Sequence, residues 1–427
     1  MGKGRRRALA ASLIGLTVAL GCSGTASHPS ERRAPAPPPV RIEPALAVTG
    51  TKLAIANDRF GADLYGRLVT DPTLAGKDIV YSPISAATAL QMVFIAARAS
   101  TATELGAALR LKGLTPSEIA STASVLHRTL AAMDSAKGAT VQRCDVLWPD
   151  TGLRVNSAYL DAVATAFGAR PRPLDYAGDP ERARRTINDA VSRATHGKIP
   201  QLMSPGSISG DTVMTLTDAI YLKADWQTPF PAYRTATADF HGLDGRSTAR
   251  MMTQQARLGY RRADGITAVT LPYRGSRLAM TLFLPTQRGQ EAFTGLERTI
   301  VRSGVNGLLP HRSRLVSLAM PKFTSRTTMD LKPALQAMGV RRAFAGGDFS
   351  GMSAAANGAI STVVQQAYIT VGEKGTEAAA ATGIAITLSR IEPTGVEVTF
   401  DRPFVYAITD RTSASVLFLG RVLHPTG

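Results

Sequence analysis

Cysteine is almost missing from this chain: Cys22 and Cys144 are the only two in 427 residues, too few for a disulfide framework. Histidine is scarce as well. The six (His28, His127, His196, His241, His311 and His424) stand far apart, with no pair at helical spacing to hold a metal ion, so neither a metal nor another cofactor is expected. There is no Gly-x-Ser-x-Gly elbow to carry a nucleophile, no phosphate-cradling Gly-Lys loop and no dinucleotide fingerprint. Nothing here points to an enzyme. Aromatic residues make up only 6%, and no basic stripe is interleaved with them. The formal charge of +17 therefore describes a dispersed, solvated basic surface, broken only by short groups such as Arg182, Arg184 and Arg185, and no nucleic-acid partner is expected. The apolar stretch from Ala8 to Leu20 is too short to span a bilayer as a stable helix.

What is present begins with that stretch. Lys3, Arg5, Arg6 and Arg7 precede it and small residues follow, which is the layout of a secretory signal over residues 1–21. The series Ala19-Leu20-Gly21-Cys22 resembles a bacterial lipoprotein cleavage site, although Leu is not in its usual place. Two readings stand: Cys22 carries lipid, or an ordinary signal is cut nearby. One acyl chain holds a membrane only marginally, so stable anchoring needs several. Residues 22–50, with Ala34-Pro-Ala-Pro-Pro-Pro39, read as an extended tether. Removing the four basic residues of the leader lowers the formal charge from +17 to +13. The expectation is an exported monomer, either a cell-surface or periplasmic lipoprotein or a secreted protein, meeting a membrane only through the lipid.

From Thr51 the pattern is globular. Asn57 to Leu68 sets Phe60, Leu64, Tyr65 and Leu68 on one helical face. A strand at Asp78 to Tyr81 leads into Ser82-Pro-Ile-Ser85, where Ser82 can cap a helix and Pro83 suits its first turn. Helices are expected at Ala86 to Ala97, Thr101 to Leu111 and Ser117 to Ala132. Strands are expected at Ala219 to Lys223, Ala268 to Tyr273, Leu278 to Leu284, Arg314 to Phe323, Val363 to Val371 and Val416 to Val422. Helices first and antiparallel strands second mean an α+β fold. Cys144, in the apolar stretch Val141 to Trp148, reads as a buried small hydrophobe.

The most informative run is Glu373-Lys-Gly-Thr-Glu-Ala-Ala-Ala-Ala-Thr382. Read with period 2, Thr376, Ala378, Ala380, Thr382, Ile384, Ile386 and Leu388 share one small, then apolar face. Glu377, Ala379, Ala381, Gly383, Ala385, Thr387 and Ser389 share the other. It is a loop that can become a strand. Around it, in order, stand Ser82-Pro-Ile-Ser85, Thr195-His-Gly-Lys-Ile199, Asp218-Ala-Ile-Tyr-Leu-Lys-Ala-Asp-Trp226 with Pro229-Phe230, Met251-Met252, Leu271-Pro-Tyr273, Leu284-Pro285, Met320-Pro-Lys-Phe323, Asp348-Phe-Ser-Gly-Met352, Asp401-Arg-Pro-Phe404 and Phe418-Leu-Gly-Arg-Val422. In order and spacing this set resembles the serpins, serine-protease inhibitors, over almost all of residues 51–427.

The resemblance implies three β-sheets with eight or nine helices and an exposed reactive-centre loop. It implies a suicide substrate: a serine protease attacks the loop, and the cut loop enters the main sheet before water frees the acyl-enzyme. It makes Glu373, Gly375, Thr376, Glu377, Ala378, Ala379, Ala380, Ala381 and Thr382 the hinge, with Thr376 exposed until cleavage. Lys322 and Glu373 match a salt-bridged pair where insertion begins; Trp226 matches an aromatic residue packed there, or is a plain core tryptophan. Ser82, Ser85, Asp218 and Gln365 fall where the sheet opens. Inhibitory relatives commonly have Asn and His at those last two positions; carboxylate and amide can still bond, but a charge is then buried. The stretch Ile187 to Val191 also lacks a tryptophan often found there, and His127 and Arg128 alone do not make a glycosaminoglycan site. The family's usual spacing from Glu373 puts the reactive bond at Ser389–Arg390, for an elastase-like or subtilisin-like protease. One residue later, Arg390–Ile391 would suit a trypsin-like one. The alternative is a non-inhibitory relative serving as a binding or surface protein.

Overall fold

The structure is a computed structural model in which residues 47–131, 139–354, 357–376 and 395–426 are described. Among them are eight α-helices: α1 (Ala47–Leu68), α2 (Pro83–Phe94), α3 (Ala99–Ala108), α4 (Pro116–Ala131), α5 (Ser157–Phe167), α6 (Pro180–Ala194), α7 (Gln290–Ser303) and α8 (Lys332–Ala337). The strands are β1 (Ile79–Tyr81), β2 (Ala139–Arg143), β3 (Val146–Pro149), β4 (Met214–Asp225), β5 (Ala236–Gly242), β6 (Gly245–Ala263), β7 (Ile266–Pro272), β8 (Leu278–Pro285), β9 (Ser313–Pro321), β10 (Phe323–Asp330), β11 (Gly347–Asp348), β12 (Asn357–Gly358), β13 (Thr362–Gly372), β14 (Gly375–Thr376), β15 (Val396–Thr399), β16 (Phe404–Asp410) and β17 (Ser415–Val422). The fold is α+β, as expected.

A nine-stranded sheet runs β1-β17-β16-β8-β7-β6-β9-β15, with β5 on β6; a six-stranded sheet runs β10-β13-β14-β4-β2, with β3 also on β4; β11 and β12 make a short ladder. Most pairings are antiparallel, but β13 lies parallel to β4 and β15 parallel to β9. The expected strand from Arg314 to Phe323 is two strands, β9 and β10, parted at Lys322 after Pro321, whose ring cannot donate to a ladder. Two helices, α7 and α8, fall in the second half, where only strands were expected. The 19-residue β6 went unrecognised because exposed and buried positions alternate irregularly along it, with arginines at both ends.

Local chemistry explains the helix nearest the site. Ser82 caps α2, its Oγ accepting from the Ser85 amide at 3.2 Å, and Pro83 occupies the first turn. Every residue of α2 is buried, so it threads the core behind the six-stranded sheet rather than covering it from outside. Helix α6 is amphipathic: Ala183, Ile187, Ala190 and Val191 turn inward and pack with Cys144, Trp148 and Ala219. Cys144 is buried and unbridged, and burial, with Asp145 nearby, pushes its thiol up to about 12, so it is the inert hydrophobe expected.

Candidate functional site

Two clusters on the six-stranded sheet hold the site residues. The upper one surrounds the point where the chain after β13 turns back on itself. The side chain of Glu373 forms an ion pair with Lys322 Nζ at 3.1 Å and accepts from Thr235 Oγ1 at 3.1 Å. Partial burial pushes this carboxyl up, but its backbone hydrogen bond, Lys322 and Thr235 outweigh that and hold it below the ordinary carboxylate range. The amides of Phe230 and Trp226 donate to the carbonyls of Glu373 and Lys374 at 2.8 and 2.7 Å, and the Trp226 indole N–H donates to Gly372 O at 2.9 Å. Trp226 stacks on Tyr273 with centroids 4.5 Å apart. It is therefore more than core filling: ring and backbone together clamp residues 372–374.

Beyond the turn, Gly375 and Thr376 form β14, seated between β13 and β4 and antiparallel to both. Gly375 has to be glycine here, since a Cβ would lie 2.0 Å from the Ala224 carbonyl oxygen. Thr376 is paired with Val371 on one side and Ala224 on the other, and shares a 2.6 Å hydrogen bond with the Tyr273 hydroxyl. It is 1% exposed. The expectation that Thr376 is exposed before cleavage is thus wrong: β13 and β4 diverge at this end, and the two open strand edges take up the hinge as a first rung.

Below β14 the seam closes. Thr362–Tyr368 of β13 pair directly with Thr215–Tyr221 of β4, and at the middle of this run Gln365 faces Asp218. The Gln365 amide donates to Asp218 Oδ2 and, at 3.0 Å, to the Ser82 carbonyl; its oxygen accepts from the Ser82 amide at 2.9 Å. One side chain thus ties β13 to β4 and to the start of α2. Carboxylate and amide bond as expected, and all of Ser82, Ser85, Asp218 and Gln365 are buried. Burial pushes the Asp218 carboxyl well above its ordinary range, and Asp145 beside it pushes in the same direction.

Four contributors escaped the sequence reading. Tyr273 stood in a recognised motif, but nothing in its spacing announced a partner some hundred residues away. Thr235 and Phe230 reach Glu373 from the turn after β4. Asp145 was legible only as a lone charge inside the apolar stretch Val141 to Trp148. Residues 377–394, and with them Glu377, Ala378, Ala379, Ala380, Ala381, Thr382, Ser389, Arg390 and Ile391, lie outside the described residues, as does Cys22. Among the described residues no group of three or more potential ligands could hold a metal ion, and no helix is long and apolar enough to cross a membrane.

Residues 55–425 match the family model described as Serpin (serine protease inhibitor). The chain is 34% identical over 384 residues to the leukocyte elastase inhibitor of Bos taurus, covering 88% of this chain and all of that one. It is 32% identical over 377 residues to an uncharacterised serpin-like protein of Thermococcus kodakarensis, covering 87% of this chain and 85% of the other. Among solved structures it resembles Serpin48 of the insect Tenebrio molitor, with a TM-score of 0.76 and 26% identity over 88% of this chain and 98% of that one. The chain belongs to the serpin family. Serpins are in general inhibitors of serine proteases rather than enzymes.

Proposed function

We propose that this protein inhibits serine-type endopeptidases as a suicide substrate, catalysing nothing itself. The observation that supports this most directly is the register of β14. Antiparallel pairing of Thr376 with Val371 and Ala224 is the first step of a ladder. Continued downward, it sets Ala378 level with Ile369 and Leu222, Ala380 with Ala367 and Ile220, and Thr382 with Gln365 and Asp218. Ile369, Leu222, Ala367 and Ile220 all line the core. On that register the small face of residues 376–384 would turn inward on insertion, where methyl-sized side chains would enter without a clash. The target supplies nucleophile and oxyanion hole, forms the acyl-enzyme on the loop, and is carried along as the loop zips in. Incubation with a panel of serine proteases should give a covalent complex that survives a denaturing gel. Clean cleavage of the loop with no complex for any enzyme would refute the proposal.

The reactive bond is assigned to Ser389–Arg390, which suits an elastase-like or subtilisin-like target through small Ser389 and adjacent Leu388. Mass spectrometry of the fragment released from a complex with such an enzyme should read Arg390 as its first residue. A fragment beginning at Ile391, formed by a trypsin-like enzyme, would move the bond by one. Export follows from the leader, and the anchor is assigned to Cys22. Metabolic labelling with a fatty acid should mark the wild type and leave Cys22→Ser unlabelled; equal label in both would make the signal an ordinary one.

A further inference from the structure

The closed seam contains a charge that the opening mechanism does not require. Asp145 follows Cys144 between β2 and β3, and Cys144 exchanges backbone hydrogen bonds with Ala219, which sets Asp145 beside Asp218 on β4. The two carboxyls act directly on each other, the Ser85 hydroxyl also reaches Asp145, and Oδ1 of each carboxyl makes no hydrogen bond of good geometry. Ionised carboxylates only accept, so two of them side by side cannot bond each other. One proton cures this by making one carboxyl the donor to the other, as in other close carboxyl pairs.

We infer that Asp145 and Asp218 share a single proton in the native protein, and that this proton holds Asp218 in the seam so that Gln365 can bridge it to Ser82. The inference rests on the sheet-opening reading above and adds Asp145 to it as a positioning residue. The surroundings accommodate one negative charge and no more. Arg143, at 3.5 Å from Asp145, is the one cation ion-paired with either carboxyl among the described residues. From α2 come only Ser82 and Ser85, from β13 only the neutral amide of Gln365, and the buried residues of α6 carry no charge. From α4, His127 lines a cavity of about 150 Å³ together with Arg143 and Asp145, and burial, with Arg143 and Arg128, holds its imidazole below the ordinary value, favouring the neutral ring. Cys144 stays a thiol at neutral pH. The cavity also gives Asp145 a side away from the sheet on which a proton can leave.

Burial raises both carboxyls above their ordinary 3.8, and in Asp218 Asp145 adds to the rise. A carboxyl raised by folding stabilises the native state fully at pH below its unfolded value and loses that contribution as pH rises through the folded one. The closed seam therefore weakens toward alkaline pH, when two carboxylates repel each other beside the Gln365 bridge. Each unit of elevation is worth about a tenfold change in the folding equilibrium.

The test uses the native, uncut protein without a protease, so its failure is separate from a failure of trapping. Spontaneous loss of the native form, followed on native gels, should be at least about tenfold faster at about pH 8.5 than at about pH 5.5 in the wild type. In Asp218→Asn, whose amide can donate to Asp145 without titrating, the same ratio should fall below about threefold. The infrared difference spectrum between wild type and variant at neutral pH should show a protonated carboxyl band in the wild type. Equal pH slopes in the two proteins, or no such band, would overturn the inference. If Asp218→Asn does not fold, Asp145→Asn is read the same way, and absence of a protonated carboxyl band in the wild type across that pH range refutes the shared proton without any variant.

Discussion

A single cut within residues 386–390 should raise the melting temperature of this protein by ~15 °C or more. An ordinary surface loop loses or keeps stability when nicked. Here the cut frees the chain after β14 to continue the ladder that Gly375 and Thr376 have begun. Residues 377–385 would then run between the full lengths of β13 and β4, replacing direct pairing of Thr362–Tyr368 with Thr215–Tyr221 by a strand bonded on both sides. The net gain is on the order of ten hydrogen bonds at about 1 kcal/mol each, plus burial of Ile384 at about 1.5–3 kcal/mol. Ordering the loop backbone costs about 1–2 kcal/mol per residue, so the balance is favourable only if the uncut sheet is metastable. A calorimetric scan of intact and cut protein decides it. An unchanged melting curve would remove the insertion mechanism.

The largest effect of one substitution is expected for Thr376→Arg. In the native form the variant loses the hydroxyl contact with Tyr273 and must expel β14 from the sheet, because an unpaired guanidinium would otherwise be buried. That costs the native state about 1–3 kcal/mol, the scale of one lost buried hydrogen bond, since a two-residue rung can leave while the seam below it stays paired. Insertion has no such escape, because position 376 is the first that the entering strand must bury. The variant should fold with a modestly lowered melting temperature, be cut at the same bond and release active protease. Hydrolysis of the acyl-enzyme then outruns the loop. If Thr376→Arg trapped protease at near one-to-one stoichiometry, the hinge would lie elsewhere.

These two effects also show what sequence could and could not say. The sequence alone established the α+β class, the cap at Ser82, the buried role of Cys144 and the alternating small face that starts at Thr376, because each is a local pattern of period, size or capping chemistry. The ion pair of Lys322 with Glu373 and the contact of Gln365 with Asp218 were legible only through the family resemblance, and the structure contains both. Tertiary structure alone decided that Thr376 is already buried, that Gly375 must lack a side chain, and that Trp226 clamps the turn through both ring and backbone. It also placed Asp145 against Asp218. Burial and pairing between strands 70 to 150 residues apart depend on where β4 and β13 diverge and where β2 gives way to β3. That geometry is set by the packing of whole sheets and helices, and no window of neighbouring residues encodes it.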